Sequence, residues 1–291
     1  MNHLRYHLFA LFIVSAWGTT FVASQLLLDN GVSPRDIFFF RFLLAYIFIW
    51  LFSFKEKLFA DNWKDELTLV VMGITGGSLY FPLSNVALDM TQSSNVALLT
   101  CASPIFIVLV SYVFFKNKEK LGRFFWYGTF LALVGVAFIV FDGTASPQIN
   151  PLGDGISLFI ALSWAFYTLF LKRLSNRYTI LFLTRKVFFY GILTLIPLFL
   201  ITPLDLNFDV LLKPIVWGNL LYLGLIASLL CFFLWSLVVK KLGAVRATNY
   251  VYLSPAVTMV AGAIILNETI TWVKIGGAVL LLIGVALIDR K

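Results

Sequence analysis

Thr248-Asn-Tyr-Val-Tyr-Leu-Ser254-Pro255, then an apolar run to Glu268, then Gly276-Gly277 and Leu282-Ile-Gly284-Val-Ala-Leu-Ile288, has a counterpart earlier in the chain. That counterpart reads Thr100-Cys-Ala-Ser103-Pro104, an apolar run to Glu119, then Gly128 and Leu133-Val-Gly135-Val-Ala-Phe-Ile139. Glu119 and Glu268, Gly128 and Gly277, and Gly135 and Gly284 are all 149 residues apart, whereas Ser103 and Ser254 are 151 apart. A repeat at half the chain length points to duplication of one unit. Two further pairs extend it: Trp17 corresponds to Trp164, and Arg41 to Arg185.

Composition sets the class. Of 291 residues, 60% are hydrophobic and 12% charged, and apolar runs long enough to cross a bilayer recur throughout the chain. The sequence therefore predicts an all-α integral membrane protein. The net charge of +8 does not point to nucleic acid, because the basic residues fall in short connectors, where they report topology. Cys101 and Cys231 lie in separate apolar runs, read as small apolar fillers; neither a disulfide framework nor a metal site is indicated, and no cofactor is expected. The first apolar run, Tyr6 to Leu28, has no cleavage site and reads as a retained helix.

Spans are predicted at 5–28, 35–54, 67–88, 94–115, 122–141, 153–173, 179–201, 214–239, 246–266 and 271–289, which makes ten transmembrane helices. With the N-terminus cytoplasmic, sixteen Lys and Arg fall in inner segments, from Arg5 through Lys116, Lys118 and Lys120 to Arg290 and Lys291. Only Arg35 and Lys213 fall in outer ones. Both termini are thus expected in the cytoplasm. Five helices per half is an odd number, so the second half enters from the opposite side, giving two inverted five-helix repeats, an arrangement found in secondary transporters. The expected divisions are a first repeat over 1–143, an extracytoplasmic linker over 144–151, rich in turn formers, and a second repeat over 152–291.

A transport site belongs near the midplane, on facing helices and at backbone interruptions. Pro104 and Pro255 each remove an amide donor and free the carbonyl four residues earlier, at Thr100 and Val251. Either those carbonyls, with Ser103 and Ser254, receive a substrate's donors, or proline simply bends the helix while serine satisfies the backbone. Trp17, Thr20 and Ser24 share one face of the first helix. Tyr80, Ser84 and Asn85 in the third, Trp164, Tyr167 and Thr168 in the sixth, Trp235 in the eighth, and Asn249, Tyr250 and Tyr252 in the ninth complete the candidates. Aromatic rings with one polar tip suit a cavity for small organic molecules, although tryptophan and tyrosine also gather at lipid interfaces. Arg41 and Arg185 each lie some six residues inside a helix end, where snorkelling, structural pairing and contact with an anion all stay open. No Asp or Glu occupies the middle of a span, so a buried carboxylate relay for protons or sodium has no candidate.

The paired Ser-Pro helices, the thirteen residues from Pro255 to Glu268, the closing Gly-Gly and Leu-Ile-Gly-Val-Ala pattern, and Ser15-Ala-Trp17-Gly18 together resemble the drug/metabolite transporter superfamily, specifically its EamA branch. The first half departs from this pattern, with Asn117 thirteen after Pro104 and Glu119 two later. The resemblance implies ten helices in two inverted repeats, a central cavity lined mainly by helices 1, 3, 4, 6, 8 and 9, and export or exchange of small metabolites such as amino acids across a bacterial inner membrane. The expected partners are a small-molecule substrate and the bilayer, with no nucleic acid, in a monomer or weak homo-oligomer. Three alternatives stand beside it. A sugar-phosphate or nucleotide-sugar carrier needs midplane cations, for which only Arg41 and Arg185 qualify. A non-transporting membrane scaffold would use the polar midplane groups as interhelical hydrogen bonds. A lipid-acting enzyme lacks a catalytic cluster, the only histidines being His3 and His7, so no catalytic residue is expected.

Overall fold

The computed structural model describes residues 4–90, 96, 99–114, 122–141, 150–201, 204, 208–265 and 270–288. Lys116, Asn117, Lys118, Glu119, Lys120, residues 142–149, Glu268, Arg290 and Lys291 lie outside the described residues. Every regular element among those described is helical. In chain order they are α1 (Leu4–Asp29), α2 (Pro34–Ser53), α3 (Trp63–Met90), α4 (Ser103–Phe114), α5 (Arg123–Phe141), α6 (Pro151–Leu174), α7 (Ile180–Ile201), α8 (Pro214–Leu242), α9 (Ala244–Ile265) and α10 (Trp272–Ile288). A single helical turn, Phe208–Leu211, precedes α8. Seven of these, α1, α2, α3 and α6 to α9, are long and apolar enough to cross a membrane, while α4, α5 and α10 are shorter apolar helices.

Local chemistry explains the starts. Ser33 caps α2 by accepting a hydrogen bond from the Asp36 amide, with Pro34 opening the helix. Asn62 caps α3 through the Asp65 amide, and Asn150 caps α6 through the amides of Leu152 and Gly153, with Pro151 next. Gly243, at φ 92°, makes the turn from α8 into α9 that an L side chain resists. Large apolar side chains remain on the outer surface, among them Phe130, Leu200, Ile264 and Trp272. Water would not support that surface and hydrocarbon does, which makes this a multi-pass membrane protein.

In lipid there is little hydrophobic gain from bringing helices together, so close packing and interhelical hydrogen bonds must hold them. The tightest seam is α5 against α10. A Cβ on Gly135 would sit 2.4 Å from the Leu281 nitrogen and 2.6 Å from the Gly277 oxygen, and one on Gly128 would sit 2.6 Å from the Gly284 oxygen. The partner's number falls as the α5 number rises, so the two helices run antiparallel. Elsewhere α1 packs on α9 and α8, α2 on α7 and α8, α3 on α7 and α6, and α4 on α6. Nearly all of these pairings join a helix before residue 142 to one after residue 150.

The glycine seam predicts a sharp difference between neighbours. Gly135→Leu should lower the thermal midpoint of detergent-solubilised protein, because overpacking costs about 1–3 kcal/mol. Gly276→Ala, with nothing within 4 Å of the added carbon, should leave the midpoint unchanged or slightly raised. Thermal unfolding followed by fluorescence reads both.

Candidate substrate cavity

Three helices are interrupted along their length, and a turn precedes a fourth. In α3 the backbone widens to π geometry over Ile74–Ser78, and in α8 over Tyr222–Leu230. Shifting 74–78 by the repeat offset of 149 gives 223–227, inside the second segment. Before α4, Cys101 and Ala102 leave the helical pattern, and in α9 Tyr250–Leu253 tightens to 3-10 geometry just before Ser254-Pro255. The Ser-Pro pairs at matching places therefore each follow a backbone irregularity.

Side chains from the opposite half of the chain reach carbonyls within the π turns. The Trp17 indole of α1 donates to the Ala227 oxygen in α8 at 3.0 Å, and the Ser163 hydroxyl of α6 donates to the Thr75 oxygen in α3 at 2.8 Å. The carbonyls freed by the prolines each receive one donor from the chain. Ser103 Oγ donates to the Thr100 oxygen, and the Ser254 amide donates to the Val251 oxygen. Thr100 and Val251, each with that one donor, both lie on the wall of the cavity described next. Gly18 brings α1 close to that point, since a Cβ there would lie 2.8 Å from Val257 and 3.0 Å from the Ser254 oxygen.

Around these interruptions lies a cavity of about 890 Å³, counting the space up to its mouth. Trp17, Thr20, Phe21 and Ser24 line it from α1, and Tyr80, Phe81, Ser84 and Asn85 from α3. Ser103, Trp164, and Ser254 with Pro255 line it from α4, α6 and α9, and Thr100 and Cys101 from the turn before α4. Cys101, read from sequence as a filler, is thus a wall residue, while Cys231 is fully buried; both are free thiols. Pro104 is buried beside Ser103 and off the wall. No α8 residue lines the cavity, and α2 contributes Arg41 instead. A guanidinium six residues from a helix end can snorkel, but Arg41 is only 3% exposed and turns inward. Its Nε donates to Ser228 Oγ at 2.9 Å, and the Phe81 ring lies 4.2 Å from its carbon. No sequence periodicity marks that orientation, because α2 is apolar on every side.

The floor is aromatic. Trp17 and Trp164 meet edge to face at 5.3 Å between ring centroids, Trp235 packs 5.2 Å from Trp17, and Tyr80 packs 5.3 Å from Trp164. Trp235 and Tyr167 support this floor from below and do not reach the cavity, contrary to expectation. Trp235 follows the π turn of α8, which shifts the face on which it emerges, while Tyr167 lies in the uninterrupted α6. The Trp235 indole nitrogen has no hydrogen-bond partner among the described residues. Tyr250 is elsewhere too: the 3-10 turn directs its hydroxyl to His7 Nδ1 near the start of α1, ten residues before Trp17. Arg185 lies at the end of α2, where it donates to the carbonyls of Ser53, Glu56 and Lys57 and stacks 4.6 Å from Trp50. A cation capping the last carbonyls of a helix is a structural role.

On the same side as Tyr250 and Arg185, two charged groups tie α3 to α7 and its entry. Asp65 pairs with Arg177 at 3.2 Å and accepts from Tyr178 at 2.9 Å, while Glu66 accepts from Lys186 and Tyr190. The cavity lies on the other side, toward the C-terminal ends of α1 and α3. On the wall the hydroxyls of Ser24, Ser84 and Ser254 have no partner among the described residues. Thr20 donates to the Trp17 oxygen, and the Asn85 amide to the Pro34 oxygen.

A multi-pass helical membrane protein with a cavity at its backbone interruptions has the form of a small-molecule transporter. The sequence profile of the EamA-like transporter family matches residues 4–141 and again 151–289, and the chain belongs to that family. It is 28% identical to an uncharacterised transporter of Archaeoglobus fulgidus over 98% of this chain and 97% of that one. It is 25% identical to a probable amino-acid metabolite efflux pump of Salmonella typhimurium, over 94% and 91% of the two chains. One crystal structure superposes with a TM-score of 0.76 at 17% identity, covering 99% of this chain and 97% of that one, a likeness of fold.

The two indoles of the floor should respond differently to loss of their N–H. Trp17→Phe should cost about 1 kcal/mol more than Trp235→Phe, the worth of a net hydrogen bond, because only Trp17 has an acceptor, the Ala227 carbonyl. Equal losses in thermal unfolding would assign the Trp17 bond no net value.

Proposed function

We propose that the protein is a secondary transporter that exports or exchanges small metabolites, amino acids among them, by alternating access around this cavity. The observation that carries the reading is the placement of the cavity at matched interruptions of helices from both halves, open toward one side and closed toward the other. Ten crossings, two inverted five-helix repeats divided near 144–151 and cytoplasmic termini complete the picture. The reciprocal seam, Gly128 on Gly284 and Gly135 on Gly277, supports the inversion: repeat-equivalent glycines exchange roles, as a two-fold axis in the membrane plane requires. A bacterial plasma membrane is the proposed setting, and the name of the Salmonella relative supports an outward flux of amino-acid-like compounds.

With cytoplasmic termini, the cavity faces outward. Its inner side is closed by the Trp17, Trp164 and Trp235 floor, then by the Tyr250 to His7 bond, then by the Asp65 and Glu66 ion pairs. An inward-facing state requires these contacts to separate while the outer ends of α1 and α3 close. Rocking of one half against the other is the simplest motion that does both.

Cysteine labelling checks the polarity. In a Cys101→Ser, Cys231→Ser background, Ser24→Cys should react with an impermeant maleimide from the outer face of intact cells. Adding Tyr250→Phe should reduce that labelling by shifting the population inward. Labelling only from the cytoplasmic face would reverse the assigned orientation. For function, counterflow of radiolabelled amino acids into proteoliposomes should be measurable, and Trp17→Ala should reduce it by roughly tenfold or more, the effect of losing one large cavity contact. Unchanged flux in well-folded Trp17→Ala would remove the floor from the transport path.

A further inference from the structure

The two buried arginines are repeat counterparts with opposite surroundings. Arg185 is 2% exposed and its guanidinium is satisfied by three backbone carbonyls at the end of α2. Arg41 is 3% exposed, yet among the described residues only Ser228 accepts from it, through Nε. A guanidinium carries five N–H donors. Those on the two terminal nitrogens of Arg41 have no acceptor among the described residues, and the group lies on the wall of the cavity. The Phe81 ring centroid lies 4.2 Å from its central carbon, a contact that together with the Ser228 bond restrains the fork. A charge placed inside a membrane protein costs about 2.5–3.5 kcal/mol on insertion scales, so a cation kept there without a carboxylate lacks its structural counter-ion.

We propose that Arg41 is the anion-binding group of the cavity, and that the substrates are small carboxylates with an apolar body. This deepens the transporter reading and rests on it. A planar fork matches a carboxylate, which takes two parallel N–H bonds. No other Lys, Arg or His among the described residues lines the cavity, so one negative charge is balanced and the two charges of a phosphate monoester are not. No carboxylate among the described residues lines it either, so a simple organic cation meets only repulsion. Trp17, Trp164 and Tyr80 receive the apolar body, and the free hydroxyls of Ser24, Ser84 and Ser254 supply the remaining polar contacts.

The test uses the purified full-length protein in detergent and isothermal titration with matched ligands. 4-Methylpentanoate, 3-phenylpropanoate and indole-3-propanoate are each compared with their primary amide and with the corresponding amine. At least one acid should bind about tenfold or more tighter than its amide, the scale of a charge-assisted hydrogen bond, and every amine should bind weakest. Arg41→Met should erase the preference for acid over amide, and Arg41→Lys should retain part of it. Acid and amide binding alike in the unmodified protein, no acid binding at all, or an acid preference surviving in Arg41→Met would each overturn the proposal. The ligand series on unmodified protein decides the matter even if the variants do not fold. An acid that binds with this selectivity but shows no counterflow in proteoliposomes would overturn the transporter reading and leave the carboxylate site standing.

Discussion

In hydrocarbon no water is available to satisfy an open peptide group, and most of this structure follows from that constraint. A helix crossing lipid must keep its ladder intact, so any departure from α-helical bonding has to be hidden among other helices and given new partners. The widened turns of α3 and α8 and the Ser-Pro breaks of α4 and α9 all obey this. Trp17 and Ser163 supply donors to the π turns, Ser103 serves the Thr100 carbonyl, and a 3-10 bond serves Val251. Where interrupted helices converge, their irregular backbones cannot pack flush, and the space left between them is the cavity. The site is thus a consequence of where the backbone is allowed to break.

The same constraint divides the polar residues into two kinds. Charged groups away from the cavity are bonded: Asp65 with Arg177 and Tyr178, Glu66 with Lys186 and Tyr190, Arg185 with carbonyls at and just beyond the end of α2. These interactions tie helix ends together on one side of the molecule. Groups on the cavity wall are left with spare hydrogen-bonding capacity, the serine hydroxyls and the Arg41 fork above all. An unsatisfied donor costs least where water or a ligand can reach it, above all when it carries charge. The contrast between Arg41 on α2 and Arg185 on α7 expresses this division in two buried residues of one type.

Much of this was legible in the chain. Trp17, Thr20, Tyr80, Ser84, Asn85, Ser103, Trp164 and Ser254, chosen for aromatic and hydroxyl groups beside proline and glycine, all lie on the cavity wall. Tyr167, Trp235 and Tyr250, chosen by the same rule, lie off it. For Trp235 and Tyr250 the reason is helical phase, whereas Tyr167, in the uninterrupted α6, packs beneath Trp164 at 4.9 Å between ring centroids. Each residue turns an α-helix by roughly 100°, so one residue gained in a π turn or a tightened 3-10 turn redirects every side chain beyond it. Neither irregularity has a sequence signature as clear as proline, and in an all-apolar helix no amphipathic stripe remains to restore the phase. Arg41 was visible as a charge in the wrong solvent, but its direction, inward and not along the helix to the interface, was not.

What the sequence determined by itself was the solvent, the helices and the duplication. Apolar run length is dictated by bilayer thickness, basic residues accumulate in connectors, and matched Gly128, Gly135, Gly277 and Gly284 record the repeat, all in one dimension. What only the tertiary structure decided was which face of each helix turns inward and which buried charge is left unsatisfied. Lipid is as apolar as the protein interior, so composition cannot tell the two faces apart. That choice is made by packing, where glycines let backbones touch and side chains from one half close the open turns of the other.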